Sequence, residues 1–169
     1  ASCLNHYAYE KDDVLKQFVS QMTDCKLFVV RGNHDTRPDL ISSYEVDKFC
    51  GGDVYVEDKY PNLIFAKDGE MYDIDGLKAF VVGGAKTINQ EFHILRGHPI
   101  QQDSDLTEKE KQDIEWKLEE LGWSVDLMLT HTCPKSFIRP EMLFSGYDQS
   151  QIDHSHENWL DVIEKCIDY

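Results

Sequence analysis

The sequence predicts an α/β domain, and three observations carry that prediction. Short apolar runs of strand length occur at residues 27–30, 63–66 and 125–129, each running into a polar or turn-forming segment. Amphipathic stretches of helical period lie before the first run and around the last. Between them, Asp75-Gly76 sits between two further apolar segments, a hairpin turn signal.

Taken in order, Asp12 and Asp13 offer acceptors for a helix start, and Val14, Leu15, Phe18 and Met22 come next at helical spacing as its apolar face. Leu27-Phe28-Val29-Val30 reads as a buried strand, and it breaks into the polar loop Arg31-Gly32-Asn33-His34-Asp35. Pro38 opens a short helix through Leu40, Ile41 and Tyr44, and Gly51-Gly52 closes that section. Residues 54–56, 63–66, 71–74 and 77–82 read as strands, the last ended by Gly83-Gly84. Thr107 and Glu110 form a capping box, Ile114, Leu118 and Leu121 make the apolar stripe behind it, and Gly122 suits the C-terminal cap. Residues 125–129 are another buried strand, running into Thr130-His131-Thr132-Cys133-Pro134. Ser155 caps a last helix whose inward face holds Trp159, Leu160, Ile163, Cys166 and Ile167.

The 169 residues suit one domain with a real core, and no repeat, low-complexity tract or linker divides residues 1–169. Hydrophobic residues at 41% and charged residues at 29% fit a globular chain. The formal net charge of -15 argues against a broad nucleic-acid footprint, because an acidic surface repels phosphates. Bound cations would still let a small site take a phosphate. The five cysteines contain no C-x-x-C pair, and no stretch reaches the ~18 apolar residues of a membrane helix. With no signal peptide read in the sequence, the expected compartment is a reducing cytoplasm and no membrane partner is expected.

The loops after two of the buried strands concentrate the chemistry, as the carboxyl ends of strands do in α/β folds. Asn33 offers a neutral carbonyl oxygen suited to a hard or borderline divalent metal. His34 can hold or give a proton, and Gly32 leaves room for a sharp turn and a close approach. Asn33 and Asp35 equally suit a turn that caps its own backbone. His131 ends the second strand, with Pro134 forcing an early turn after it.

Strand-Arg31-Gly32-Asn33-His34-Asp35, a long interval, then strand-Thr130-His131-Thr132-Cys133-Pro134 resembles the calcineurin-like metallophosphoesterase family. The match extends through Gly69-Glu70, Asp75-Gly76, residues 81–85, Ser145-Gly146-Tyr147-Asp148-Gln149-Ser150, and Asp153, Ser155, Glu157 and Trp159-Leu160, in the manner of small bacterial and phage members. The resemblance implies an α/β/β/α sandwich, incomplete at both termini, in which two divalent ions (Mn, Fe, Zn or Mg) clamp a hydroxide that attacks phosphorus. It implies that Asn33 and His131 are metal ligands, that His34 is a phosphate-contacting general acid oriented by Asp35, and that Arg37 contacts phosphate at the rim unless it serves as a surface ion pair. The substrate would be a phosphorylated small molecule, a nucleotide or a phosphoprotein, in a mono- or diester.

The family also uses an early D-x-H, a G-D after its second strand and a late G-H-x-H. Residues 1–10 hold neither of the first two, and no G-H-x-H occurs in the chain. Set against the family pattern, Ala1 is expected just after the G-D and Tyr169 a few residues before the G-H-x-H. His154-Ser155-His156 is set aside as a substitute, because no glycine or strand precedes it. His6, His93 and His98 read as solvated, and the acidic run around Asp103 and Asp105 as a solvated face. Two expectations result: a metal-dependent phosphoester hydrolase, represented by an incomplete copy with little activity of its own, or a non-catalytic remnant of that fold that binds a partner.

Overall fold

A computed structural model describes residues 9–21, 24–87, 104–139, 141 and 152–169. Met22, Asp103, His6, His93, His98 and the Ser145–Ser150 motif lie outside the described residues. The described residues contain three α-helices: α1 (Tyr9–Ser20), α2 (Glu108–Glu120) and α3 (Ser155–Cys166). Strands β1 (Leu27–Val29), β2 (Glu45–Phe49), β3 (Gly52–Val56) and β4 (Leu63–Ala66) form one mixed sheet in the order β1-β4-β3-β2. Strands β5 (Met71–Ile74), β6 (Leu77–Val82) and β7 (Leu127–Thr130) form a second mixed sheet in the order β5-β6-β7. β1 runs parallel to β4 and β7 parallel to β6; the remaining pairs are antiparallel.

Strand alternation sorts the core into layers. Along β4, Leu63 and Phe65 face one cluster with Val19, Ile41 and Tyr60, while Ile64 and Ala66 face another with Val54, Tyr72 and Val81. The second cluster also gathers Phe28, Val30 and Leu129, so it fills the space between the two sheets. Along β6, Val81 joins that inter-sheet layer, while Phe80 and Val82 point the other way onto Ile114 and Leu118 of α2 and Leu160 and Ile163 of α3. Both faces of β4 and β6 are therefore apolar, which is why they read as continuous hydrophobic runs.

Local chemistry agrees with the sequence at several points. Asp75 and Gly76 both take positive φ (55° and 86°), the two-residue turn whose twist suits a β5–β6 hairpin. The capping box of α2 is closed: Thr107 Oγ1 accepts from the Glu110 amide at 3.2 Å, and Glu110 Oε2 accepts from the Thr107 amide at 2.7 Å.

Elsewhere the structure departs from the sequence reading. The segment after Pro38 is only a single 3₁₀ turn, Pro38–Leu40, and residues 45–49 form β2. β2 is mostly exposed, so no burial pattern marks its sequence. α1 begins at Tyr9 and buries Lys16 and Val19, leaving Val14, Leu15 and Phe18 in solvent. The sheet dictates that choice: Lys16 Nζ reaches Glu57 at 2.6 Å and lies over the rings of Tyr44 and Tyr60, and Tyr60 Oη donates to Asp13 at 2.7 Å. Ser155 is the first residue of α3 rather than its cap, which is His154; Asp153 accepts from the Ser155 amide at 2.9 Å, and Cys166 is exposed. Among the described residues, no helix is long and apolar enough to cross a membrane.

Candidate functional site

The chain leaves β1, β4, β6 and β7 through loops that are tied to one another at one end of the two sheets. Arg31, two residues beyond β1, is buried at 2% exposure. Its Nε and Nη2 donate to Asp68 Oδ2 at 3.2 and 2.9 Å, and its Nη1 donates to the Ser104 carbonyl at 3.0 Å. The other Asp68 oxygen accepts from the Gly83 amide at 2.6 Å, and the Gly84 amide donates to the Arg31 carbonyl at 2.7 Å. A Cβ on Gly83 would sit 2.6 Å from Asp68 and 2.7 Å from the Arg31 carbonyl, so this junction tolerates only glycine. The His131 amide donates to the Val82 carbonyl at 3.3 Å, which ties the loop after β7 to β6.

On this frame Asn33 and His131 meet, although 98 residues separate them: His131 Nε2 lies 3.2 Å from Asn33 Oδ1. Gly32 makes the approach possible, since a Cβ there would fall 2.7 Å from His131 Cε1. Asp35 closes the same loop by accepting from the Gly32 amide at 2.7 Å, the backbone-capping role open to it in the sequence. The His131 ring has one flank open to water and the other pressed on Gly32. Lost hydration lowers its pKa first, and the positive charge of Arg31, His34 and His156 lowers it further. His131 therefore stays neutral, with a lone pair, to lower pH than a free histidine.

The tautomer decides what the pair can do. With the proton on Nε2, the ring donates to Asn33; with the proton on Nδ1, both facing atoms are acceptors and repel unless a cation sits between them. Two ligands of one ion, each about 2.0–2.6 Å from it, lie roughly 3 to 4 Å apart. A 3.2 Å separation fits that arrangement. Among the described residues, no group of three or more His, Cys, Asp or Glu is arranged to hold a metal.

No family model, no curated protein and no solved structure matches the chain.

The remaining sequence-predicted residues are distributed around this pair. His34 is exposed on the same loop, near enough to His131 to act on its charge. Arg37 turns away into an ion pair with Glu110, and its Nε reaches Asp39 at 3.4 Å. Burial would lower the Arg37 pKa, but both carboxylates raise it above the ordinary value. Burial likewise pushes the Glu110 carboxyl up, yet Arg37 and the Thr107 bonds hold it down at about 2.

The supporting roles of four side chains escape the sequence reading. Asp68 comes after a buried strand just as Asn33 and His131 do, so the strand-end rule that found those two would also have found it. Glu157 accepts from Thr132 Oγ1 at 3.1 Å, and Asp161 accepts from the Ser136 amide and hydroxyl at 3.0 and 2.7 Å, so α3 holds the His131 loop. His156 is fully buried and its Nδ1 bonds Asp105, which is not a solvated acid. Burial would raise the Asp105 pKa, but His156, the Leu106 amide and Lys111 hold it at about 2. No local pattern announces that pair, because its members are 51 residues apart.

Proposed function

We propose that this chain carries part of the site of a calcineurin-like metallophosphoesterase, a metal-dependent phosphoester hydrolase built on an α/β/β/α sandwich. The observation that supports this best is the approach of Asn33 Oδ1 and His131 Nε2 to 3.2 Å, at the ends of two strands in different sheets. Layering of α1, two sheets, and the α2–α3 pair agrees with the proposed sandwich.

In this reading Asn33 and His131 hold one divalent ion. Two such ions (Mn, Fe, Zn or Mg) would supply the hydroxide nucleophile and neutralise the phosphoryl oxygens. His34, exposed beside the pair, protonates the leaving oxygen, a contribution of about 10²–10⁴ in rate. Asp35 keeps the loop closed through the Gly32 amide. Arg37 reaches a phosphate only by exchanging one of its carboxylate partners. The D-x-H, G-D and G-H-x-H donors of the family are what the reading needs in addition. β1 and β7, each paired on one side only among the described residues, are the edges beside which such strands would add.

Two neutral ligands replace little of an ion's water shell, so the 169-residue chain should bind Mn²⁺ weakly and hydrolyse an aryl phosphate poorly. Manganese-induced line broadening in NMR spectra tests the assignment. Broadening should centre on residues 32–34 and 131 and disappear in Asn33→Ala and His131→Ala. Broadening spread over the acidic surface and unchanged in both variants would sink the ligand assignment, as would strong Mn²⁺-dependent turnover by this chain.

A second reading is a non-catalytic fold of the same type that binds a partner. The half-exposed apolar strands β1 and β7 favour it. Manganese broadening separates the two readings, because the second leaves Asn33 and His131 joined by an ordinary hydrogen bond.

A further inference from the structure

A cleft of about 400 Å³ opens between the ends of β3 and β4, the turn at Pro38 and one side of α2 from Glu110 to Lys117. That volume is in the range of small-molecule sites. Its apolar lining includes Leu106 and Ile114, both buried, with two aromatics, half-buried Tyr55 and the exposed Trp116. Trp116 is 61% exposed on a helix whose other large apolar residues, Ile114 and Leu118, are buried in the core.

The charges lining the cleft decide the kind of ligand. Four cations and five carboxylates line it, so it is not a basic pocket. Every cation already has a carboxylate: Arg31 has Asp68, Arg37 has Glu110, Lys67 has Asp53 and Lys117 has Glu70. A phosphate or other polyanion would find no uncommitted cation there. The Asp113 carboxylate makes no ion pair or hydrogen bond among the described residues, and it is exposed at the cleft. What the cleft offers is aromatic and aliphatic surface beside acceptor oxygens.

We infer that this cleft binds a planar nitrogen heterocycle bearing an amino group, the chemistry of an adenine-type nucleobase, with the ring against Trp116 and Tyr55 and the amino group donating to Asp113. Aromatic side chains hold such rings by stacking, and a carboxylate accepts from the exocyclic amine. The inference stands apart from the phosphoester reading, because it requires neither a phosphate nor a metal.

Calorimetric titration of the 169-residue chain with adenosine, without metal, tests it. The affinity usual per atom for ligands of this size gives a Kd on the order of 0.1 mM. Purine riboside, which has the same ring and sugar but no amino group, should bind roughly tenfold more weakly. Trp116→Ala should weaken adenosine by about tenfold or more. Asp113→Ala should bring adenosine down to the affinity of purine riboside. Both side chains are exposed, so both variants should keep the fold, which circular dichroism checks. Absence of saturable binding up to millimolar adenosine overturns the proposal, as does binding that neither substitution changes. Equal affinity for the two nucleosides overturns the role of Asp113.

Discussion

Among the described residues, strands β4 and β6 lie inside their sheets, whereas β1 and β7 lie at the edges, and the two pairs divide the work of the molecule. Phe65 and Phe80, Val81 and Val82 are at 0% exposure, while Leu27 and Leu127 are 42% and 37% exposed. All four strands are apolar runs, so composition does not separate them. Their outgoing loops do: β1 and β7 run into Asn33 and His131, while the loops after β4 and β6 supply Asp68, Gly83 and Gly84, which brace Arg31. Hydrophobic stability is concentrated in the central strands, and the proposed chemistry is carried by strands with little core of their own.

The largest expected effect is in the centre. Phe80→Ala removes a fully buried ring from the layer shared with α2 and α3, and should cost about 3–5 kcal/mol in urea unfolding. A loss below about 1 kcal/mol would mean that β6 is not the centre of stability.

Next comes Arg31, a buried residue in the loop that leaves the edge strand β1. Arg31→Met would leave Asp68 without its guanidinium and should cost about 3 kcal/mol, because breaking a buried pair strands the other charge. The Asn33–His131 approach should loosen as well, seen as larger chemical-shift changes at residues 32–35 than in β6. If unfolding is unaffected, the end of β1 is not held by this pair.

These contrasts show which parts of the fold were legible in sequence. Apolar runs, the Asp75-Gly76 turn and the Thr107–Glu110 box could be read because each is set by neighbours within a few residues. The Gly32-Asn33-His34 loop was legible for the same reason, with its glycine beside the residue that needs the space. β2 was not, since an exposed strand has no burial pattern. The buried face of α1 escaped the helical pattern because Lys16 is drawn in by Glu57, 41 residues away. Arg31–Asp68 and His156–Asp105 are likewise pairings across long sequence separations, and only the sheets bring them together.

Acid should separate the two regions without mutation. The Glu110 carboxyl has a folded pKa of about 2, below its ordinary value of 4.5. A depressed acid stabilises the fold fully above the unfolded pKa, and this contribution is lost as pH falls from about 4.5 towards 2. Asp105 has the same sign, from 3.8 down to about 2. Glu110 is about a third open to water, so screening reduces its share to roughly 1–2 kcal/mol. Near pH 3, amide exchange should quicken at residues 31–37 and 107–110 while β4 and β6 stay protected. Glu110→Gln should flatten the acid limb but leave the part due to Asp105. An acid limb of unchanged slope in Glu110→Gln would show that the Arg37–Glu110 pair has no part in the acid response.

The smallest expected effect is the sharpest test of the comparison. Leu127 begins β7, a strand with one paired side among the described residues and a face partly open to water. Leu127→Thr introduces a β-branched side chain suited to a strand and removes surface that is already partly hydrated. The change in unfolding free energy should stay within about 0.5 kcal/mol, against several for Phe80→Ala. Unfolding at two protein concentrations makes this decisive. If Leu127→Thr costs more than about 2 kcal/mol and the loss grows with concentration, the edge of β7 is covered in solution by another chain. β7 would then be an interior strand of an assembly, and the division between stable centre and working edge would fail at that strand.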